Sequence, residues 1–153
     1  MPIKRRVEML VQELGTCDPI RIAAALGIII EYCHLKGIWG YFQYVYRIPV
    51  VHVAVGLSEA LTLFIVVHEL GHRILHPGVN VPFLRANTYT SIGGYEREAN
   101  QFAVELRVPD ELLLEVMSIY EAAAICGVPE EVAELKMLPK SKFWRNNRSY
   151  FSL

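Results

Sequence analysis

The sequence predicts an α+β fold: a small, mainly antiparallel sheet of about three strands packed on one long buried helix, with several further helices. Three observations carry this. Two helical patterns fill residues 3–27, and three runs rich in β-branched and aromatic residues fill 28–55. A long stretch over 58–76 then begins apolar on every side, the mark of a helix buried all round. The 153 residues suit one domain. A composition 53% hydrophobic and 20% charged excludes a disordered chain. A net charge of −1 makes no overall case for binding nucleic acid or an anionic membrane.

The elements follow in order. Val7, Leu10, Val11 and Leu14 recur at helical spacing, closed by Gly15. Asp18 and Pro19 open a second helix as N-cap and first helical residue, and Gly27 ends it. Ile28–Cys33 reads as a strand, Lys36-Gly37 as a turn and Trp39–Tyr46 as a second strand, so residues 28–46 are expected to form a hairpin. Pro49 starts a third run, Val50–Val55. Ser58 opens the long helix, and Pro77-Gly78 stops it after His76. Residues 77–94 form a connection long enough to suggest a functional one.

Tyr95–Leu106 is helical again, and Pro109 is expected at the first position of the next helix. Ser118-x-x-Glu121 is a capping-box pattern, with Gly127 as a stop and a last helix over Pro129–Met137. The organisation expected is one domain over 1–138 and a basic, aromatic tail over 139–153. The basic run of Lys136, Lys140, Lys142, Arg145 and Arg148 is interleaved with Phe143, Trp144, Tyr150 and Phe151. It reads as a tail frayed or folded back on the body, with a partner surface as the alternative.

Cys17, Cys33 and Cys126 are widely spaced and lack any Cys-x-x-Cys, so neither a disulfide framework nor a cysteine-based zinc site is expected. Reduced thiols suit the cytoplasm. Lys4, Arg5 and Arg6 are followed by Glu8, Gln12 and Glu13 rather than an apolar segment, against a signal peptide. Ile48–Val67 holds Pro49, His52, Gly56 and Glu59, against a membrane span. Ala123-x-x-x-Gly127-Val128 sits between two short helices, as in a DNA-reading turn. Glu130, Glu131 and Glu134 follow, and acids facing phosphates favour a packing role instead.

The chemistry concentrates in His68-Glu69-Leu70-Gly71-His72. On a helix, residues i and i+4 share a face, so both imidazoles can reach one metal ion. Glu69 lies beside the ion, placed as a general base for a polarised water. A catalytic zinc needs a third protein ligand. His76 lies roughly 12 Å of helix rise from His68, too far to share its ion, and reads as a helix-end residue favoured by the dipole. Glu96 and Glu98 are the remaining candidates. Glu96 shares a helix face with Asn100, which suits a ligand with an orienting partner one turn on; Glu98 falls on another face, beside Phe102.

These residues carry a resemblance. His68-Glu69-Leu70-Gly71-His72-x-x-Leu75-His76, then Glu96-x-x-Ala99-Asn100-x-Phe102-Ala103-x-x-Leu106 and Pro109, resemble the ImmA/IrrE-type zinc metallopeptidases. Asp18-Pro19-Ile20 through Ala25-Leu26-Gly27-Ile28 resembles their N-terminal segment, and Arg107-Val108 departs from the apolar residues usual there. The resemblance covers about residues 10–138. It implies a zincin-like fold with Zn²⁺ on His68, His72 and Glu96, Glu69 as the base and Asn100 in the outer shell. Tyr89, Tyr95 and His76 are candidate oxyanion donors, among which the sequence does not choose.

The expected activity is zinc-dependent endopeptidase cleavage of narrow specificity. A protein substrate such as a transcriptional repressor from a phage or mobile element would be cut, an anti-repressor role. No direct nucleic-acid contact and no membrane partner are expected; a homo-oligomer is left open. The alternative is a zincin-fold module that grips a regulator without cutting it.

Overall fold

Capping chemistry visible in the chain sets most of the element boundaries. The computed structural model describes residues 1–79, 84–85, 94–116 and 118–138. Helix α1, Ile3–Leu14, ends where Gly15 turns left-handed (φ 66) and its N–H bonds the Val11 carbonyl. Helix α2, Pro19–Ala25, is capped by Asp18, whose carboxylate accepts from the N–H groups of Ile20 and Arg21. Strands β1, β2 and β3 span Ile29–Cys33, Ile38–Val45 and Ile48–Ala54. Helix α3, Glu59–Leu75, starts at Ser58, whose hydroxyl accepts from the Leu61 N–H. A two-residue β4, Leu84–Arg85, follows, and then α4, Gly94–Arg107. Short helices α5, Asp110–Leu113, and α6, Ile119–Cys126, lead to a 3₁₀ helix over Glu130–Leu135. Pro109 is the N-cap of α5, one residue earlier than expected.

The sheet runs β1-β3-β2-β4. The fold class expected from the sequence holds, but the hairpin does not lie where it was expected. Residues 28–46 do not fold on themselves: β1 pairs parallel with β3, and the hairpin is β2–β3. Its turn is Tyr46-Arg47, both left-handed (φ 50 and 67). Two such residues give the turn twist that closes tight antiparallel hairpins. The tight turn delivers β3 to β2, and β1 takes the free edge of β3. Inside the connection expected over 77–94, β4 adds to the other edge of β2.

One face of the sheet presents Val51 and Val53 to the core with Phe64, Ile65, Val66 and Val67 of α3, all fully buried. Burying a side chain of this size contributes roughly 1.5–3 kcal/mol, and it covers the apolar circumference of α3. Two glycines let other elements approach that helix. A Cβ at Gly71 would stand 3.2 Å from Ala99 Cα and 3.2 Å from Phe102 Cβ, so the α3 backbone lies close against α4. A Cβ at Gly40 of β2 would stand 2.7 Å from Ile65 Cγ2 and 2.8 Å from the His52 carbonyl oxygen.

The far end of α4 is held by ions. Lys136, counted above in the basic run that leads into the tail, is only 6% exposed. Its ammonium lies 2.8 Å from Glu105 and 2.8 Å from Asp110, and Lys4 lies 2.6 Å from Asp110. An ammonium enters a protein interior only beside carboxylates, and Glu105 supplies one. Packing also explains the segment around Gly127: Ala122, Ala123, Val132 and Ala133 are buried together in the core. Tyr89 and the tail over 139–153 lie outside the described residues. Among the described residues no helix is long and apolar enough to cross a membrane.

Candidate active site

Helices α3 and α4 meet at Gly71 and Ala99, and the polar residues of the site flank that contact. His68 and His72, one turn apart on α3, are 0% and 3% exposed; Glu96, in the first turn of α4, is 7% exposed. The His68 and His72 Nε2 atoms are 3.1 Å apart. Glu96 Oε2 lies 3.2 Å from His68 Nε2, and its Oε1 lies 3.1 Å from His72 Nε2.

The outer nitrogens set the proton order. His68 Nδ1 is 2.8 Å from Asn100 Oδ1. An amide oxygen only accepts, so His68 carries its proton on Nδ1 and turns the Nε2 lone pair inward. His72 Nδ1 is 3.3 Å from His76 Nδ1, and His76 Nε2 is 2.5 Å from Glu98 Oε2. One order suits all three groups: His76 donates to Glu98, and His72 donates to His76. His72 Nε2 then also carries a lone pair. Glu98 therefore stands apart from the three converging groups and anchors His76 instead.

Lone pairs thus converge from three sides with no donor between them, and Glu96 Oε1 is buried without a hydrogen-bond partner. The spacing fits a cation. Two donor atoms about 2.0–2.1 Å from a tetrahedral zinc stand about 3.3–3.4 Å apart, close to the 3.1–3.2 Å found here. Two imidazoles and a carboxylate are also a donor set that zinc accepts.

Burial alone would raise the Glu96 carboxyl; protons on the two facing imidazole nitrogens would outweigh it and hold it at about 2. Where those nitrogens turn lone pairs inward, a cation has to take the protons' place. Glu69, 2% exposed, goes the other way. Burial pushes its carboxyl up to about 8, countered by His72 and assisted by the Glu96 charge. A Cβ at Gly40 would stand 3.9 Å from Glu69 Oε1, an ordinary contact, so β2 passes beside this carboxylate; the tighter approach to Ile65 and the His52 carbonyl is what requires a glycine there. The sequence reading passed over Gly40. Its signal was a glycine inside a strand pattern, which marks close approach.

The candidate oxyanion donors fall differently. His76 has both ring nitrogens engaged, as above. Tyr95 is half exposed, with its ring 4.6 Å from that of His76. A cavity of about 350 Å³ opens beside His72 and His76, walled by Phe42, Tyr44, Arg73 and Pro77. The Arg73 guanidinium lies 5.9 Å from the centre of the Tyr44 ring.

Comparison with known proteins agrees with this geometry. Residues 23–138 match the peptidase family described as the IrrE N-terminal-like domain. The chain is also 35% identical over 145 residues to "Uncharacterized immunity region protein 2" of Bacillus phage phi105, an alignment covering 92% of each chain.

Proposed function

Because this chain belongs to the IrrE N-terminal-like family of peptidases, we propose that it is a zinc-dependent endopeptidase of narrow specificity, acting on a regulatory protein. The observation that carries the reading is the convergence of His68, His72 and Glu96 around a cation-sized gap, with Glu69 buried alongside. In this reading the three converging residues hold the ion. When bound, the ion supplies a Lewis acid that polarises a water molecule and the scissile carbonyl.

The chain's own groups do the rest. Glu69 takes the proton of the attacking water and delivers it to the leaving amine. Burial favours the protonated form of Glu69, and the positive charge of a bound ion would draw the carboxyl back down to where it can both take and give a proton. Asn100 fixes the ring of His68, and His76 with Glu98 fixes that of His72. Tyr95 or Tyr89 supplies the oxyanion donor, since the His76 nitrogens are already engaged.

The immunity-region name of the phage relative supports a substrate such as a phage or mobile-element repressor, whose cleavage would release the genes it silences. The proposed compartment is the cytoplasm, where the free cysteines would stay reduced.

Glu69→Gln tests the chemistry. Glutamine keeps the shape and cannot accept the proton, so cleavage of a co-expressed repressor should fall roughly a hundredfold or more. Zinc content and fold should be retained. Fragments on a gel and derepression of a reporter are the readouts. If Glu69→Gln derepresses as well as the unaltered protein and neither yields fragments, the protein is a binding module.

A further inference from the structure

A second cluster of metal-binding side chains lies on the sheet. Glu31 and Cys33 of β1 and His52 of β3 bring a carboxylate oxygen, a thiol sulfur and a ring nitrogen within 4.8 Å of one another. The parallel register sets Glu31 against His52. His52 Nδ1 lies 3.4 Å from Cys33 Sγ and 3.6 Å from Glu31 Oε2. Nitrogen, sulfur and oxygen ligands of one tetrahedral zinc stand about 3.3–3.6 Å apart, so both of these spacings already suit a shared ion. The exposed Glu31 side chain is free to swing closer to the sulfur.

The imidazole is held in place for this. His52 is 7% exposed, and the Tyr41 ring stacks on it at 4.5 Å and 18°. Its Nε2 stands 2.8 Å from the Gln43 amide nitrogen. A half-turn of that amide presents its carbonyl to an Nε2–H. The Nδ1 lone pair then faces Cys33 and Glu31. An outer acceptor fixing the far nitrogen is the arrangement that metal-binding histidines use.

We propose that Glu31, Cys33 and His52 form a second cation site, of zinc type, that staples edge strand β1 to β3. Thiolate, imidazole and carboxylate together select a borderline-soft divalent ion rather than magnesium or calcium. The Cys33 thiol gives up its proton on binding. Three protein ligands leave a fourth position for water on the exposed Glu31 side. The site does not depend on the peptidase reading, because it shares no residue with α3 or α4.

Cobalt(II) separates the two clusters, since only this one contains sulfur. Metal-free protein given two equivalents of cobalt(II) should develop a near-ultraviolet thiolate-to-cobalt charge-transfer band. Cys33→Ser should abolish the band, and Glu31→Gln should weaken cobalt binding at it. Cys17→Ser, Cys126→Ser and His72→Ala should keep it. With zinc, content should fall from about two ions per chain to one in Cys33→Ser. No band in the unaltered protein, or a band that survives Cys33→Ser, overturns the proposal. Partial loss of cobalt d–d absorption with the charge-transfer band intact in His72→Ala supports the proposal, because the remaining ion is then the one on Cys33.

Discussion

Helix α4 buries a glutamate at each end, and the two are neutralised in different ways. At its C-terminal end Glu105 has a fixed partner: the Lys136 ammonium at 2.8 Å and the Met137 N–H at 2.6 Å. At its N-terminal end Glu96 faces only two imidazoles, which present lone pairs, and one of its oxygens is left without a hydrogen bond. A buried carboxylate that brings its own cation is a structural feature. One surrounded by further acceptors needs a cation from outside, and this difference is why the proposed chemistry is assigned to the N-terminal end of α4.

The sharpest break between the two ends is in metal binding. Losing an outer partner of a metal ligand costs roughly 10–100-fold in affinity, so losing a ligand should cost more. Glu96→Ala should therefore lower zinc affinity by roughly a hundredfold or more, measured by competition with a chelator. Lys136→Met should leave zinc affinity unchanged. If Glu98→Ala sheds zinc and Glu96→Ala does not, the assignment of the third ligand falls.

Stability should show the reverse. Removing one partner of a buried ion pair costs about 3–5 kcal/mol. Glu105 would keep the Met137 amide, so Lys136→Met should cost about 2–3 kcal/mol, read from the urea midpoint of metal-free protein. Glu96→Ala should cost metal-free protein much less, because it relieves crowding among acceptors. A larger loss from Glu96→Ala than from Lys136→Met would erase the distinction.

The smallest effect expected is in acid. Burial alone would raise the Asp110 carboxyl, but hydrogen bonds and charge from Lys136 and Lys4 hold it below the usual range. A depressed carboxyl stabilises the fold above its unfolded pKa, about 3.9, and that stability is lost as pH falls through the lower folded value. Unfolding midpoints of Asp110→Asn and the unaltered protein should differ at neutral pH and converge below about pH 4. Zinc should leave earlier on the same descent, because a protonated imidazole cannot ligate. Metal loss and convergence at one pH would mean the two ends are coupled.

What the sequence disclosed followed from local geometry. Helical period placed His68, Glu69 and His72 on α3, and face-sharing linked Glu96 to Asn100. Caps at Asp18, Ser58 and Ser118 marked helix starts that the structure reproduces. What stayed hidden depends on residues far apart in the chain. Glu105 and Lys136 are 31 residues apart and meet only once α4 and the 3₁₀ helix pack. Glu31, Cys33 and His52 meet through a strand register that no spacing rule encodes. The β2–β3 turn was missed because Tyr46-Arg47 holds neither the glycine nor the asparagine that usually signals such a turn.

That turn offers a practical handle. Left-handed backbone costs a non-glycine residue roughly 1–2 kcal/mol, and Tyr46, 95% exposed, gains no packing in return. The strain sits in the hairpin that carries Gly40 to Glu69, yet apart from every ionisable group of both clusters. Recasting the turn as Asn-Gly would relieve it and raise the melting temperature without altering the chemistry. Such a background would serve as a suppressor, keeping damaged active-site variants folded long enough to be purified and assayed.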